Sequence, residues 1–108
     1  MVSVPEVTPP ELAEKLKGPN PPLLIDVREP HEYSLCRIDG AQLKPLGGIL
    51  DWAQSLDREA EIVLQCHTGV RSGQATAYLR HLGFKRVFNL RGGIDAWSLL
   101  VDPTVPRY

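Results

Sequence analysis

The chain has 108 residues, a formal net charge of −1, 43% hydrophobic and 23% charged residues. That length suits one domain with one modest core; the charge balance argues against a nucleic-acid binder, and the composition argues against disorder. No apolar run approaches the roughly 20 residues that span a bilayer, and the start MVSVPEVTPPELAEK has neither a basic nor an apolar signal region. The expectation is a soluble, cytoplasmic, monomeric domain over residues 1–108, with its core at about 4–101 and a tail at 102–108.

In chain order, Val2–Val4 is a weak edge-strand candidate. Thr8-Pro9-Pro10-Glu11 opens a helix, with Thr8 as cap and Glu11 closing a capping box. Leu12, Ala13 and Leu16 make its apolar stripe, and Gly18 ends it as the residue past the C-cap. Leu23–Val27 is a short apolar run, the mark of a strand buried on both faces. Ala41–Leu43 is a weaker strand, and Leu46–Leu56 a helix candidate with Ile49, Trp52, Ala53 and Leu56 on one face. Ile62–Leu64 is the second firm strand. Ser72–Leu82 is the clearest helix: Ala75, Tyr78, Leu79 and Leu82 repeat at i, i+3, i+4 and i+7, and Gly83 stops it. Val87–Leu90 is a third firm strand, and Ile94, Trp97 and Val101 mark a last helix before Pro103. Strands of four or five apolar residues alternating with helices imply an α/β fold with a parallel sheet covered on both faces.

Two cysteines, Cys36 and Cys66, make no disulfide framework, and the three histidines have no zinc spacing with them. Cys66 closes the run VLQC and enters the turn HTGVRS. In a parallel sheet, ligands bind beyond the carboxyl ends of the strands. The helix that follows offers unpaired N–H groups and a partial positive charge. Gly69 allows a tight turn whose amides point inward as an anion-binding nest, and Arg71 adds a cation. These features favour thiolate over thiol, giving a nucleophile at neutral pH and a cradle for an anionic substrate. The competing reading is an inert core cysteine in a tight turn.

LLIDVREPHEY (23–33), Ile38-Asp39-Gly40-Ala41, CHTGVRS (66–72), LGF (82–84) and NLRGGIDAW (89–97) together resemble the rhodanese family. The resemblance implies a five-stranded parallel sheet with helices on both faces and sulfurtransferase chemistry. Cys66 would take sulfane sulfur from an anionic donor such as thiosulfate, carry it as a persulfide, and pass it to a thiophilic acceptor such as cyanide. No metal or organic cofactor is implied. The amides of His67, Thr68, Gly69, Val70, Arg71 and Ser72 would stabilise the anionic sulfur. Arg71 would help electrostatically and orient the donor; Ser72 would add a hydroxyl or cap the helix; Asp26 and Arg28 would brace the site by ion pairing. The chain departs from the family pattern with Cys36-Arg37 in place of Gly-His and Arg91 in place of Glu before Gly92-Gly93. Cys36 then reads as a spectator thiol, and Arg91 as either a contact for an anionic donor or a solvated charge.

The ending AWSLLVDPTVPRY also resembles rhodanese domains fused behind adenylating sulfurylases of the molybdopterin and thiamine type, which implies a small protein acceptor. Three alternatives stand beside direct sulfur transfer from thiosulfate. One is a persulfide relay fed by a desulfurase. Another is an inactive binding module, against which Cys66, Gly69 and Arg71 argue. The last is a small phosphatase or arsenate reductase, whose loop sets the arginine one residue further from the cysteine.

Overall fold

A computed structural model describes residues 3–108; Val2 of the expected Val2–Val4 strand lies outside them. Ser3 and Val4 are irregular, and the edge strand β1 is Glu6–Val7. It is followed by α1 (Pro9–Lys17), β2 (Leu23–Asp26), α2 (Pro30–Leu35) and β3 (Gln42–Leu43). Next come α3 (Ile49–Trp52), β4 (Glu61–Gln65), α4 (Val70–His81), β5 (Arg86–Leu90) and α5 (Gly93–Leu100). The five strands form one sheet in the order β1-β5-β4-β2-β3, every pair parallel.

The capping box of α1 forms as the sequence requires: the Glu11 amide donates to Thr8 Oγ1 at 3.3 Å, and the Thr8 amide to Glu11 Oε1 at 2.8 Å. Gly18 is the C-cap itself and is extended, with φ −76°, so it does not use the left-handed region expected of a residue past the cap. The Leu46–Leu56 helix is broken into a 3-10 turn (Leu46–Gly48), the single turn α3 and a second 3-10 turn (Ala53–Ser55). Its apolar positions still face inward, because Ile49, Trp52, Ala53 and Leu56 pack into one core layer. Helix α2 escapes the periodicity reading because it has six residues. Its signal was a charged variant of the capping box: Glu29 precedes Pro30 and is answered by Glu32, whose side chain accepts from the Glu29 amide at 3.0 Å.

Two apolar layers sandwich the sheet. One gathers Leu12, Leu24, Ile38, Val63, Leu90, Ile94 and Trp97, packed by α1 and α5. The other gathers Ile25, Ile62, Leu64, Ala75, Leu79, Phe84 and Val87, packed by α4 and the α3 region. Alternate residues of β4 enter opposite layers, so this central strand is apolar from Ile62 to Leu64, between Glu61 and Gln65. Each fully buried Leu or Ile adds about 1.5–3 kcal/mol of transfer free energy. No helix among the described residues is long and apolar enough to cross a membrane. Because all strands are parallel, the carboxyl ends of β2, β4 and β5 meet at one edge, with Asp26, Cys66 and Leu90 beside one another.

Candidate active site

Cys66 is the first residue beyond β4 and is 1% exposed. The chain turns at Gly69, whose φ of +105° is open to glycine and strained for other residues. Gly69 is the N-cap of α4, which begins at Val70, two residues earlier than the apolar stripe suggests. Ser72 is therefore not the cap. It lies in the first turn, fully buried, and its side chain serves the sulfur instead.

Three donor atoms converge on Cys66 Sγ. The Gly69 N–H donates at 3.1 Å, the Ser72 N–H at 3.4 Å, and Ser72 Oγ lies at 3.2 Å. The N–H groups of His67, Thr68, Val70 and Arg71 find no acceptor among the described residues. The turn thus has two amides on the sulfur and four more open, at the N-terminus of a 12-residue helix.

The turn keeps this shape because its carbonyls are taken from behind. The Ile94 N–H donates to the Cys66 carbonyl at 2.9 Å, and the Asp95 N–H to the His67 carbonyl at 3.0 Å. Both donors belong to the first turn of α5, which would otherwise leave them unpaired. Gly93 makes the approach possible. A Cβ at that position would sit 2.5 Å from both carbonyl oxygens, and its φ is +61°. The Gly-Gly pair of the last motif is thus part of the sulfur site, although it lies 26 residues or more beyond Cys66.

Asn89, on β5 and 4% exposed, is a site residue the sequence reading missed. Its Nδ2 donates to the Gly69 carbonyl at 3.0 Å, which leaves its Oδ1 to accept from the Ser72 hydroxyl at 2.6 Å. A hydroxyl carries one hydrogen. Ser72 gives it to Asn89 while its lone pair receives the Cys66 S–H, or turns it to an ionised Cys66.

The charged residues form a chain of contacts to one side. Asp26 and Arg28 are both fully buried; Arg28 Nη2 lies 2.7 Å from Asp26 Oδ2, and its Nε donates to the same carboxylate. The family resemblance implies ion pairing for these two residues. Arg28 also donates from Nη2 to the Cys36 carbonyl at 2.6 Å and from Nη1 to Tyr108 Oη at 2.9 Å. Burial works against its charge, but Asp26 and Tyr108 outweigh burial and hold the guanidinium firmly protonated.

Arg71 is not the free cation that the loop alone suggests. Its Nη1 and Nη2 grip Glu32 Oε1 and Oε2 at 2.7 and 3.0 Å. Glu32 offsets part of its charge at a distance, so helix end and amides act beside Arg71 on an anion at the sulfur. Arg71 foremost, then the Glu29 amide and the Tyr108 hydroxyl, hold the Glu32 carboxyl well below the usual carboxylate range against its burial. Tyr108 donates to Glu32 Oε2 at 2.7 Å, and its ring stacks on His67 with centroids 4.0 Å apart and planes 11° from parallel. Burial pushes its hydroxyl up to about 12, the hydrogen bond from Arg28 pulling the other way. Glu32 and Tyr108 lay outside the sequence reading because each reaches the site from tens of residues away.

Arg91 is directed elsewhere: its Nε meets Glu6 Oε1 at 3.0 Å on the exposed β1 edge. Cys36 is buried in the layer packed by α1 and α5, whereas Cys66 belongs to the opposite layer. No cluster of potential metal ligands occurs among the described residues.

Comparison with known proteins identifies the family and the fold. The model of the rhodanese-like domain matches residues 8–100. The chain is 39% identical to the probable adenylyltransferase/sulfurtransferase MoeZ of Mycobacterium tuberculosis, over 94% of this chain and 26% of that protein. It is 37% identical to a sulfurtransferase of Allochromatium vinosum, over 86% of this chain and 87% of that one. Some relatives are much longer, and the chain spans only 26% to 35% of them. Among solved structures, a rhodanese-like domain protein from Staphylococcus aureus superposes with a TM-score of 0.83 at 30% identity, covering 96% of this chain and 98% of that one.

Proposed function

This chain belongs to the rhodanese-like domain family, and on that footing we propose that it is a sulfurtransferase that carries sulfane sulfur on Cys66. The observation that supports this reading most is the ring of amides: two on Sγ and four more without an acceptor among the described residues. A persulfide places a second, anionic sulfur beyond Sγ, and open N–H groups at a helix terminus suit such a charge.

The reaction runs in two displacements. The Cys66 thiolate attacks the outer sulfur of thiosulfate. The new S–S bond forms as the old one breaks, and sulfite leaves with the bonding electron pair. Cys66 then bears –S–S⁻. A thiophilic acceptor, cyanide in an assay, attacks the outer sulfur and leaves as thiocyanate, returning the thiolate. The Ser72 hydroxyl, 3.2 Å from Sγ, turns its hydrogen from Asn89 to the ionised sulfur. Glu32 and Tyr108 hold the Arg71 guanidinium at the loop, where it orients the sulfonate of the donor.

Intact mass tests this reading. After thiosulfate, the protein should gain one sulfur atom that maps to Cys66, and cyanide should remove it. A second reading has sulfur arriving from a desulfurase or leaving to a protein acceptor. It is supported by the similarity of the chain to a probable adenylyltransferase/sulfurtransferase and to a putative sulfur carrier protein. A gain from a desulfurase without a gain from thiosulfate selects that reading, and no gain from either removes the catalytic one.

A further inference from the structure

The tail after α5 does not hang free. The Ser98 hydroxyl donates to the Val105 carbonyl at 2.6 Å, and Arg107 Nε meets Asp95 Oδ1 at 2.8 Å. These two ties deliver Tyr108 to the sulfur site. There its hydroxyl lies between Arg28 Nη1 and Glu32 Oε2, while its ring lies flat on His67. The aromatic ring touches the loop itself; the hydroxyl touches the two residues that connect the buried Asp26–Arg28 pair to the Arg71 clamp. Without that hydroxyl, Arg28 Nη1 would lose its acceptor at 2.9 Å and Glu32 one of its donors.

We propose that Tyr108 is a positioning residue of the Cys66 site: its hydroxyl, shared by Arg28 and Glu32, sets the Arg71 guanidinium at the mouth of the loop, and its ring on His67 holds the loop against the sulfur. The order of charges makes the hydroxyl well suited to this task. Asp26, Arg28, Tyr108, Glu32 and Arg71 alternate as anion, cation, neutral hydroxyl, anion and cation, each hydrogen-bonded to the next. A phenol accepts from the cation and donates to the anion with one oxygen. A phenylalanine keeps the ring and loses both contacts, so the two roles can be separated. The proposal rests on the sulfur-carrier reading only for the donor that Arg71 would orient; the placement of Arg71 relative to Cys66 can be read without any sulfur transfer.

The test compares alkylation of Cys66 by iodoacetate, an anion, and iodoacetamide, its neutral counterpart, with the adduct mapped to Cys66 by peptide mass. A guanidinium set at the mouth favours the anion, so Arg71→Ala should lower the ratio of the two rates. Tyr108→Phe should lower it about fivefold toward the Arg71→Ala value, with the iodoacetamide rate within about twofold of wild type because the ring still holds the loop. Tyr108→Ala should change both rates. In the thiosulfate assay the matching signature of Tyr108→Phe is a raised KM with kcat nearly unchanged. A Tyr108→Phe ratio equal to wild type overturns the proposal, even if the melting temperature falls. An Arg71→Ala ratio equal to wild type overturns it as well. A lowered ratio in a protein that takes up no sulfur supports the positioning role and sinks the sulfur-carrier reading instead.

Discussion

The two cysteines stand at the ends of different elements, Cys66 after β4 and Cys36 after α2, and both are buried and free. Around Cys66 the backbone reverses at a left-handed glycine, and two amides and a hydroxyl come within 3.4 Å of the sulfur. Around Cys36 the chain leaves a six-residue helix in extended form, and among the described residues the thiol's polar contact is Arg28 Nη1 at 4.0 Å. Burial is nearly the same, at 1% and 8% exposed. The difference is the number and closeness of the donors: at Cys66 two amides and a hydroxyl within 3.4 Å, at Cys36 a guanidinium at 4.0 Å beside an apolar layer. Hydrogen-bond donors, and not burial, separate the two thiols.

The largest test of that contrast exchanges each thiol. Cys66→Ser should abolish the sulfur gain seen by intact mass and leave the urea midpoint almost unchanged. Cys36→Ala should keep the gain within about twofold and cost about 1 kcal/mol of stability as a small core truncation. Sulfur appearing on Cys36 in the Cys66→Ser protein would erase the distinction.

Gly93→Ala comes next. Its methyl group would meet the Cys66 and His67 carbonyls at 2.5 Å, so the turn and α5 must separate. The expected loss is about 3 kcal/mol in urea unfolding, with sulfur loading slowed by about a hundredfold. A smaller effect follows from Asn89→Ala, which removes one of the two donors to the Gly69 carbonyl and the oxygen that accepts from the Ser72 hydroxyl. It should cost about 2 kcal/mol and slow loading about tenfold, measured by quenched-flow mass spectrometry.

Solution pH reaches the charged side of the site. Glu32 is held below its ordinary range in the fold. Its contribution is therefore full above about pH 4.3 and fades as pH falls toward the lower native value. Melting temperatures of wild type and Glu32→Gln should differ at pH 7 and converge in acid. Tyr108 is raised to about 12, so its share is full below about pH 10 and is lost as pH rises through its native value. The smallest effect belongs to Arg91→Ala. This exposed pair with Glu6 should be worth no more than about 0.5 kcal/mol, and the KM for thiosulfate should stay within twofold. A larger rise would put Arg91 in contact with the donor.

Legibility in the sequence followed the range of each interaction. Residues 66–72 could be read directly, because strand end, glycine turn and helix start are contiguous and their hydrogen bonds to the sulfur span three to six positions. Even there the sequence offers Ser72 as a possible cap, since the apolar stripe of α4 begins after the helix does. The Asp26–Arg28 pair spans two positions, yet the family resemblance and not the spacing implied it. Glu32 was hidden in a helix too short for a periodic signal, although Pro30 with Glu29 and Glu32 was a usable mark.

By itself, then, the sequence determined the α/β class, the strands that carry buried residues on both faces, and the cysteine placed where a parallel sheet binds ligands. Those features depend on local periodicity and turn chemistry, which each segment carries within itself. Only the tertiary structure decided which groups meet the loop: Gly93 behind its carbonyls, Asn89 on Ser72, Glu32 on Arg71 and Tyr108 on His67. Those partners come from three other elements and the tail, and their nearness is set by how the parallel strands and their crossovers pack, which no stretch of the chain encodes alone.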